Sequence, residues 1–572
     1  MSHGPGVTRV VDSEKNTMIH NAGVDVIMRL INYTLSFLKQ LVAMSLRPDS
    51  GSGSSLETRK KNYKIGIDAE EGRRRREEDL VGIRKNKRED TLNKKRNQTH
   101  AAHSCDTLLE VIPAMVQRLC SQYPAAQLEA TAYFKTLLSL DRHHHPPIDD
   151  ILKEGILPCF LEFLSRDDAP QLQLEALWVL TNVSSGTSQH VRLLVQLGLV
   201  PSLVNLLTST NNDDIKEETV SALGNIAGDS PSCRDLVLNH GALFPLLHQL
   251  ETSSRLSMLK LATCCLSNLV RGKPPVNFEQ VKSALPVLHG LIHSTDEEVV
   301  TDACWALSSL SGGSINNIQA IIELGVSPKL IEILQCSSDT VILPALQTLG
   351  NIVYGDDAQT QHVIDMQLLP RLHHLLTHAH RKSVIKEACW TISNITAGNI
   401  AQIQAVINAN IIPPLVDFLL HAELEIKEEV AWAICNMTRG SREHIRYVAA
   451  QGCINGLCKL LTCPDPNVVA VCLEGLENIL VVGEADKEMG LHDRGNIFAQ
   501  RIDECGGWDK FDILQIHENN DISERAVRIL KTFWPENDLE DVTHFQNATD
   551  GSQQDFSSSL NQPHLPPRGF HF

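Results

Sequence analysis

An asparagine returns along this chain every 42 or 43 residues, and no other feature limits the fold so sharply. Asn182, Asn225, Asn268, Asn351, Asn394, Asn436 and Asn478 are separated by 43, 43, 83, 43, 42 and 42 residues, the double interval skipping a slot at Ser309. Other landmarks keep step. Gly155-Ile156-Leu157-Pro158, Gly198-Leu199-Val200-Pro201 and Gly241-Ala242-Leu243-Phe244-Pro245 are followed by Gly325-Val326-Ser327-Pro328, Leu368-Leu369-Pro370 and Ile411-Ile412-Pro413. Glycine suits the left-handed end of one helix, and proline the first turn of the next. A repeat of roughly 40–47 residues is a two- or three-helix unit that stacks on its neighbours. The 572-residue chain therefore reads as one all-α solenoid, not as several globular domains.

Two further columns travel with the asparagines. Trp178, Ser221, Cys264, Trp305, Gln347, Trp390, Trp432 and Glu474 stand four residues before the asparagine slots; Glu175, Glu218, Asp302, Glu387 and Glu429 stand three residues earlier again. These offsets share one helix face, so stacking aligns indoles, amides and carboxylates into a strip. A Lys or Arg stem lying on an indole gains about 0.5–2 kcal/mol. An asparagine amide can pair with both the N–H and the C=O of an extended peptide, and carboxylates take the cationic ends. A repeat rise of about 10 Å matches three residues of extended chain at about 3.3 Å each. The strip suits a linear peptide carrying several Lys or Arg. The alternative is structural: the same residues hold neighbouring helices together.

The net charge of −18 is unevenly spread. Residues 57–97 carry 15 Lys/Arg against 9 Asp/Glu, residues 1–56 carry 5 against 4, and residues 98–572 carry 31 against 56. A basic arm is thus tethered to an acidic body. Such an arm serves as a solvated or nucleic-acid-binding tail, or pairs with the body itself. Four segments follow: an N-terminal extension (1–43), the basic arm (44–103, opening on Pro48 and a Gly/Ser cluster), the repeat body (104–535) and a polar tail (536–572) expected to be disordered. Residues 23–43 are apolar but interrupted by Arg29, Asn32 and Lys39. That favours an amphipathic helix, or an extension ahead of a second start at Met44, over a membrane span.

Catalytic chemistry finds no residue set. The fifteen cysteines are scattered without zinc spacing, several on apolar stripes (Cys264, Cys304, Cys389, Cys435), and read as buried thiols of a reducing compartment. His143-His144-His145 reads as a solvated loop. Gly312-Gly313 lacks the strand and GK[ST] run of a phosphate loop, and no nucleophile elbow is present. The arm has no interleaved aromatics for reading RNA bases. No enzyme activity, cofactor, metal, nucleic-acid partner or membrane span is expected.

Several runs resemble the importin alpha family closely: Glu175-Ala176-Leu177-Trp178-Val179-Leu180-Thr181-Asn182, Lys386-Glu387-Ala388-Cys389-Trp390-Thr391-Ile392-Ser393-Asn394, Asn351-Ile352-Val353-Tyr354-Gly355-Asp356-Asp357 and Cys472-Leu473-Glu474-Gly475-Leu476-Glu477-Asn478. In the arm, Arg73, Arg74, Arg75, Arg76, Arg84, Lys85, Lys87, Arg88, Lys94, Lys95 and Arg96 look like an importin-beta-binding domain, and Met44-Ser45-Leu46-Arg47-Pro48 like the start of a plant-type member. The resemblance, over about residues 44–535, implies a right-handed superhelix of about ten armadillo repeats. It further implies an adaptor that carries nuclear localisation signals to importin beta and shuttles between cytoplasm and nucleus with nuclear-envelope association. Its own arm inhibits it, and an export factor recycles it.

Carried over residue by residue, the resemblance implies a major cargo site at Trp178, Asn182, Gly186, Glu218, Asn225, Asp229 and Asn268. It implies a minor site at Trp305, Val353, Asp357, Thr360, Glu387, Trp390, Ser393, Asn394, Glu429, Trp432 and Asn436. The family supplies three tryptophans to the major site; here Ser221 and Cys264 replace two of them. Ser309 and Gln347 replace the Tyr and Arg usual between the sites. Losing two indoles at about 0.5–2 kcal/mol each weakens a signal by about 5- to 10³-fold, so the minor site is expected to be the better one. The alternatives are a β-catenin-like armadillo scaffold and a partner that sequesters importin beta while binding cargo weakly.

Overall fold

The computed structural model describes residues 110–138, 148–491 and 495–535. The extension, the arm's basic residues, the His143–His145 run and the tail lie outside the described residues. Every regular element among the described residues is helical, and none is a strand. The chain is an all-α solenoid of three-helix repeats. Ser188–Gln196, Leu199–Ser209 and Asp213–Ala227 make one repeat; Pro231–Asn239, Leu243–Thr252 and Leu256–Leu269 make the next. The third helices are α1 (Pro124–Leu138), α2 (Pro170–Ser184), α3 (Asp213–Ala227), α4 (Leu256–Leu269), α5 (Glu297–Ser311), α6 (Asp339–Tyr354), α7 (Lys382–Thr396), α8 (Leu424–Met437), α9 (Pro466–Glu488) and α10 (Asn520–Phe533), and the columns lie on α2 to α9.

Local sequence sets these boundaries. Asn212 caps α3 by accepting from the backbone N–H of Asp214 and Ile215, and Asp296 and Asn519 cap α5 and α10 the same way. The joint between first and second helices is left-handed: Gly198 has φ 84°. Where the glycine landmark is missing the joint persists, formed by Gln367 at φ 66° and Asn410 at φ 56°. The geometry is thus imposed by the packing of the two helices, even on residues with a Cβ. Leu180, Leu223, Leu266 and Leu307 are buried at repeating positions of α2 to α5, and truncating one to alanine costs about 2–5 kcal/mol.

The described residues form two compact units. One holds those up to Val326 together with Asn351–Thr360 and Ala397–Asn399; the other holds Ser327–Gly350, Gln361–Thr396 and those from Ile400 on. In the first, α1 packs on α2, α2 on α3, α3 on α4 and α4 on α5; in the second, α7 packs on α8, α8 on α9 and α9 on α10. Charged joints reinforce the stacking. Arg255 reaches Asp214 at 3.0 Å and Glu217 at 3.0 Å, Lys260 reaches Asp296 at 2.9 Å, and Lys386 reaches Glu425 at 3.3 Å. No single helix among the described residues is long and apolar enough to cross a membrane.

One sequence expectation is corrected. Cys304, Cys389 and Cys435 are buried, but Cys120, Cys264 and Cys336 are exposed, and beside Cys264 its neighbour Cys265 takes the core position. Cys264 lies four residues before Asn268, on the face of the strip rather than on the core stripe.

Candidate peptide-binding surface

In the first unit, α2 carries Trp178 and Asn182, α3 carries Glu218, Ser221 and Asn225, and α4 carries Cys264 and Asn268. The asparagines are structural, and Asn182 and Asn225 are only 3% and 8% exposed. Asn225 donates from Nδ2 to Thr181 O at 3.2 Å and to Ser184 Oγ at 3.0 Å. Asn268 donates to Gly224 O at 3.0 Å, and Asn351 to Ser308 O and Ser311 Oγ, both at 3.0 Å. Each of these bonds reaches back one repeat. Asn182 differs: its Nδ2 donates to Trp178 O at 2.8 Å, within its own helix. These bonds are those of the structural reading of the amide. Asn182 and Asn268 each use one acceptor, which leaves a second N–H and the carbonyl oxygen, whereas Asn225 and Asn351 direct their amide nitrogen to two acceptors and keep the carbonyl oxygen. Asn182 Oδ1 makes no hydrogen bond among the described residues.

Gly186 follows α2, where a Cβ would overlap His190 Nδ1. That histidine accepts from Thr187 N–H at 3.1 Å and meets Asp149 at 2.9 Å. Asp229 follows the C-cap of α3, half-buried, and accepts from the Cys233 thiol at 3.8 Å.

Trp178 is not open solvent surface. Lys135, on α1, places Nζ 5.5 Å from the centre of the Trp178 ring and 2.8 Å from Glu175 Oε2. Gln171 donates to the other oxygen of Glu175 at 2.9 Å. Sequence reasoning missed this contact, although the signal was present: Lys135 stands 43 residues before Trp178, one step further down the tryptophan column.

Trp305, Val353, Asp357 and Thr360 also belong to the first unit. Thr360 Oγ1 donates to Val353 O at 3.1 Å and to Asp356 O at 2.9 Å; Asn399 donates to Asp357 Oδ2 at 3.4 Å. In the second unit, α7 carries Glu387, Trp390, Ser393 and Asn394, and α8 carries Glu429, Trp432 and Asn436. Asn394 donates to Trp390 O at 3.0 Å, and Asn436 reaches back one repeat to Ser393 O at 3.0 Å. Asn436 Oδ1 makes no hydrogen bond among the described residues. Trp432 is half-buried, but Trp390 is only 5% exposed and lies so close to α6 that a Cβ on Gly350 would overlap its ring. Glu387, expected on a rim, is also buried. The last slot of the column is an ion-pair node: Glu474 meets Arg439 at 2.7 Å and Arg525 at 3.3 Å. No cluster of three or more metal-ligating side chains occurs among the described residues.

Comparison with known proteins agrees with this architecture. Residues 59–132 match the importin beta binding domain. Eight segments between residues 144 and 481 match the armadillo/beta-catenin-like repeat, and residues 496–547 match the atypical Arm repeat. The chain is 53% identical to importin subunit alpha-1b of Oryza sativa subsp. japonica over 545 residues, and 56% identical to importin subunit alpha-4 of Arabidopsis thaliana over 546; each alignment covers 92% of this chain and 100% of the relative. Among solved structures it resembles an engineered protein, at TM-score 0.65 and 27% identity, covering 73% of this chain and 98% of that one. Periodic strip, helical repeats, arm match and whole-length identity converge, and this chain belongs to the importin alpha family.

Proposed function

We propose that this protein, like the other members of its family a transport adaptor and not an enzyme, binds the basic nuclear localisation signals of cargo along its Trp/Asn/acid strip and presents them to importin beta through its arm, shuttling between cytoplasm and nucleus. The asparagine column carries the reading. Asn225, Asn268, Asn351 and Asn436 reach back one repeat, every amide of the column is of the right kind for an extended main chain, and the half-buried Asp229 offers a carboxylate to a lysine. In the first unit the peptide is held chiefly by Asn182, Asn225, Asn268, Glu218 and Asp229, since Ser221 and Cys264 supply no indole. In the second unit Trp432, Asn436, Asn394 and Glu429 hold a basic stretch, with Trp390 as a packed wall. The arm's cluster around Arg84, Lys85, Lys87 and Arg88 competes with cargo until importin beta draws it away. A tether of this length gives an effective concentration approaching millimolar. Recycling by an export factor completes the cycle.

Calorimetric titration of the full-length chain with a short lysine- and arginine-rich peptide tests this, run beside a variant carrying Arg84→Ala, Lys85→Ala, Lys87→Ala and Arg88→Ala. The expected result is micromolar binding that tightens in the arm variant and is lost mainly with Trp432→Ala. Loss mainly with Trp178→Ala would reverse the order of the sites. No binding to either form, with importin beta still captured, would favour a sequestering partner.

A further inference from the structure

The first slot of the tryptophan column is filled by a lysine, and that lysine does to Trp178 what a cargo lysine would do. Lys135 sits on α1, one repeat before Trp178. Its ammonium lies 5.5 Å from the indole centre and 2.8 Å from Glu175 Oε2. The Glu175 side chain is only 12% exposed, against 34% for Lys135, and its second oxygen accepts from Gln171. Indole face, carboxylate and ammonium together make a complete aromatic-and-acid seat with its occupant in place. Among the three tryptophan slots on α2, α3 and α4, Trp178 is the sole indole, because Ser221 and Cys264 fill the others.

We infer that Lys135 is an intramolecular competitor that closes the Trp178 seat, so a basic peptide reaches it only by displacing the lysine. The inference rests on the peptide-binding reading above and sharpens it: no indole of α2 to α4 is open to a basic side chain. Displacement exchanges one lysine–indole contact for another, so the seat adds little to affinity, and peptides on these helices are selected by their main chain and by Asp229. Lys135 acts apart from the basic arm, because it belongs to a folded helix of the repeat stack and lies beyond the segment, residues 59–132, matching the importin beta binding domain.

The test is a double-mutant cycle on peptide affinity. It uses the full-length chain with the four arm substitutions given above and a fluorescent lysine-rich peptide, read by anisotropy. Lys135→Met keeps the stem and removes the ammonium. It is expected to tighten binding about 3- to 30-fold, the range of one cation–indole contact released to the ligand. In a Trp178→Ala background the same change should give less than twofold. An equal gain in both backgrounds would mean that Lys135 acts only through its charge and would overturn the inference, as would no gain at all. Peptide binding by none of the four proteins would overturn the peptide-binding reading itself. A parallel urea titration of the four proteins reads the contact without peptide: the two substitutions should be non-additive in midpoint, and additivity refutes the contact.

Discussion

Asn225 and Asn182 occupy the same column, but alanine should cost the fold more at one than at the other. Asn225 is 8% exposed and donates to two acceptors on the preceding repeat, Thr181 O at 3.2 Å and Ser184 Oγ at 3.0 Å. A buried hydrogen bond contributes about 0.5–1.5 kcal/mol net, and replacing asparagine by alanine in a helix interior returns about 0.5 kcal/mol. Asn225→Ala should therefore destabilise by about 0.5–2.5 kcal/mol. Asn182 donates once, at 2.8 Å, to Trp178 O within its own helix, a carbonyl that also accepts the ordinary helical N–H. Its loss and the propensity gain nearly cancel, leaving about 0–1 kcal/mol. Asn225→Ala also weakens a joint between repeats, which a one-dimensional array feels as reduced coupling. Urea unfolding of the full-length chain measures both, with the shift in midpoint as the primary readout. Peptide affinity should fall by a similar factor in each, because both amides stand in the same column of the proposed strip. Equal destabilisation by the two variants would refute the claim that the column rivets one repeat to the next. Equal stability with unequal peptide binding would refute its even presentation.

Other outcomes follow from single residues. Gly198→Ala should cost about 1–2 kcal/mol, because φ is 84° and no atom lies within 4 Å of the added Cβ, so the penalty is backbone strain alone; thermal unfolding checks it, and an unchanged melting temperature refutes it. His444 is buried, and burial lowers its pKa below the ordinary 6.5, so the unfolded chain binds the proton first and stability falls as pH drops through that value. His444→Gln should flatten the loss of melting temperature between pH 8 and about 5.5; a slope identical to wild type argues against His444 as its source. Arg446→Met strands Asp486, 2% exposed and paired through two nitrogens at 3.0 and 2.5 Å, at a cost of about 2–4 kcal/mol; adding Asp486→Asn should recover part of it.

The period and the helical class were legible because repeat stacking depends on local residues: an asparagine, a glycine joint and a proline at a helix start. The family resemblance followed from the same runs. The residues the strip would use were nameable by column, but their states were not. Trp390 and Trp432 hold equivalent slots, yet one is packed against Gly350 and the other half-open, a difference made by the neighbouring helix. Cys264 looked like a core thiol because apolar stripe and strip face are only one residue apart there. The left-handed joints at Gln367 and Asn410 broke the glycine rule, since two packed helices dictate the turn between them. Lys135 was overlooked because a lysine in a tryptophan slot does not look like a member of the column until its ring partner is seen.

An amide that fastens one repeat to the last and also faces the strip makes the hinge and the handhold a single object. Asn225 and Asn268 sit on successive helices at a spacing set by the bonds they themselves make to Thr181, Ser184 and Gly224. On the proposed reading, the pitch at which an extended chain would be gripped is therefore inherited from the pitch at which the repeats are fastened. A ligand drawing on the carbonyl oxygen of each amide would polarise the bonds already made. Occupancy then acts as a splint on those joints, and flexing the column would spoil the register of whatever it holds.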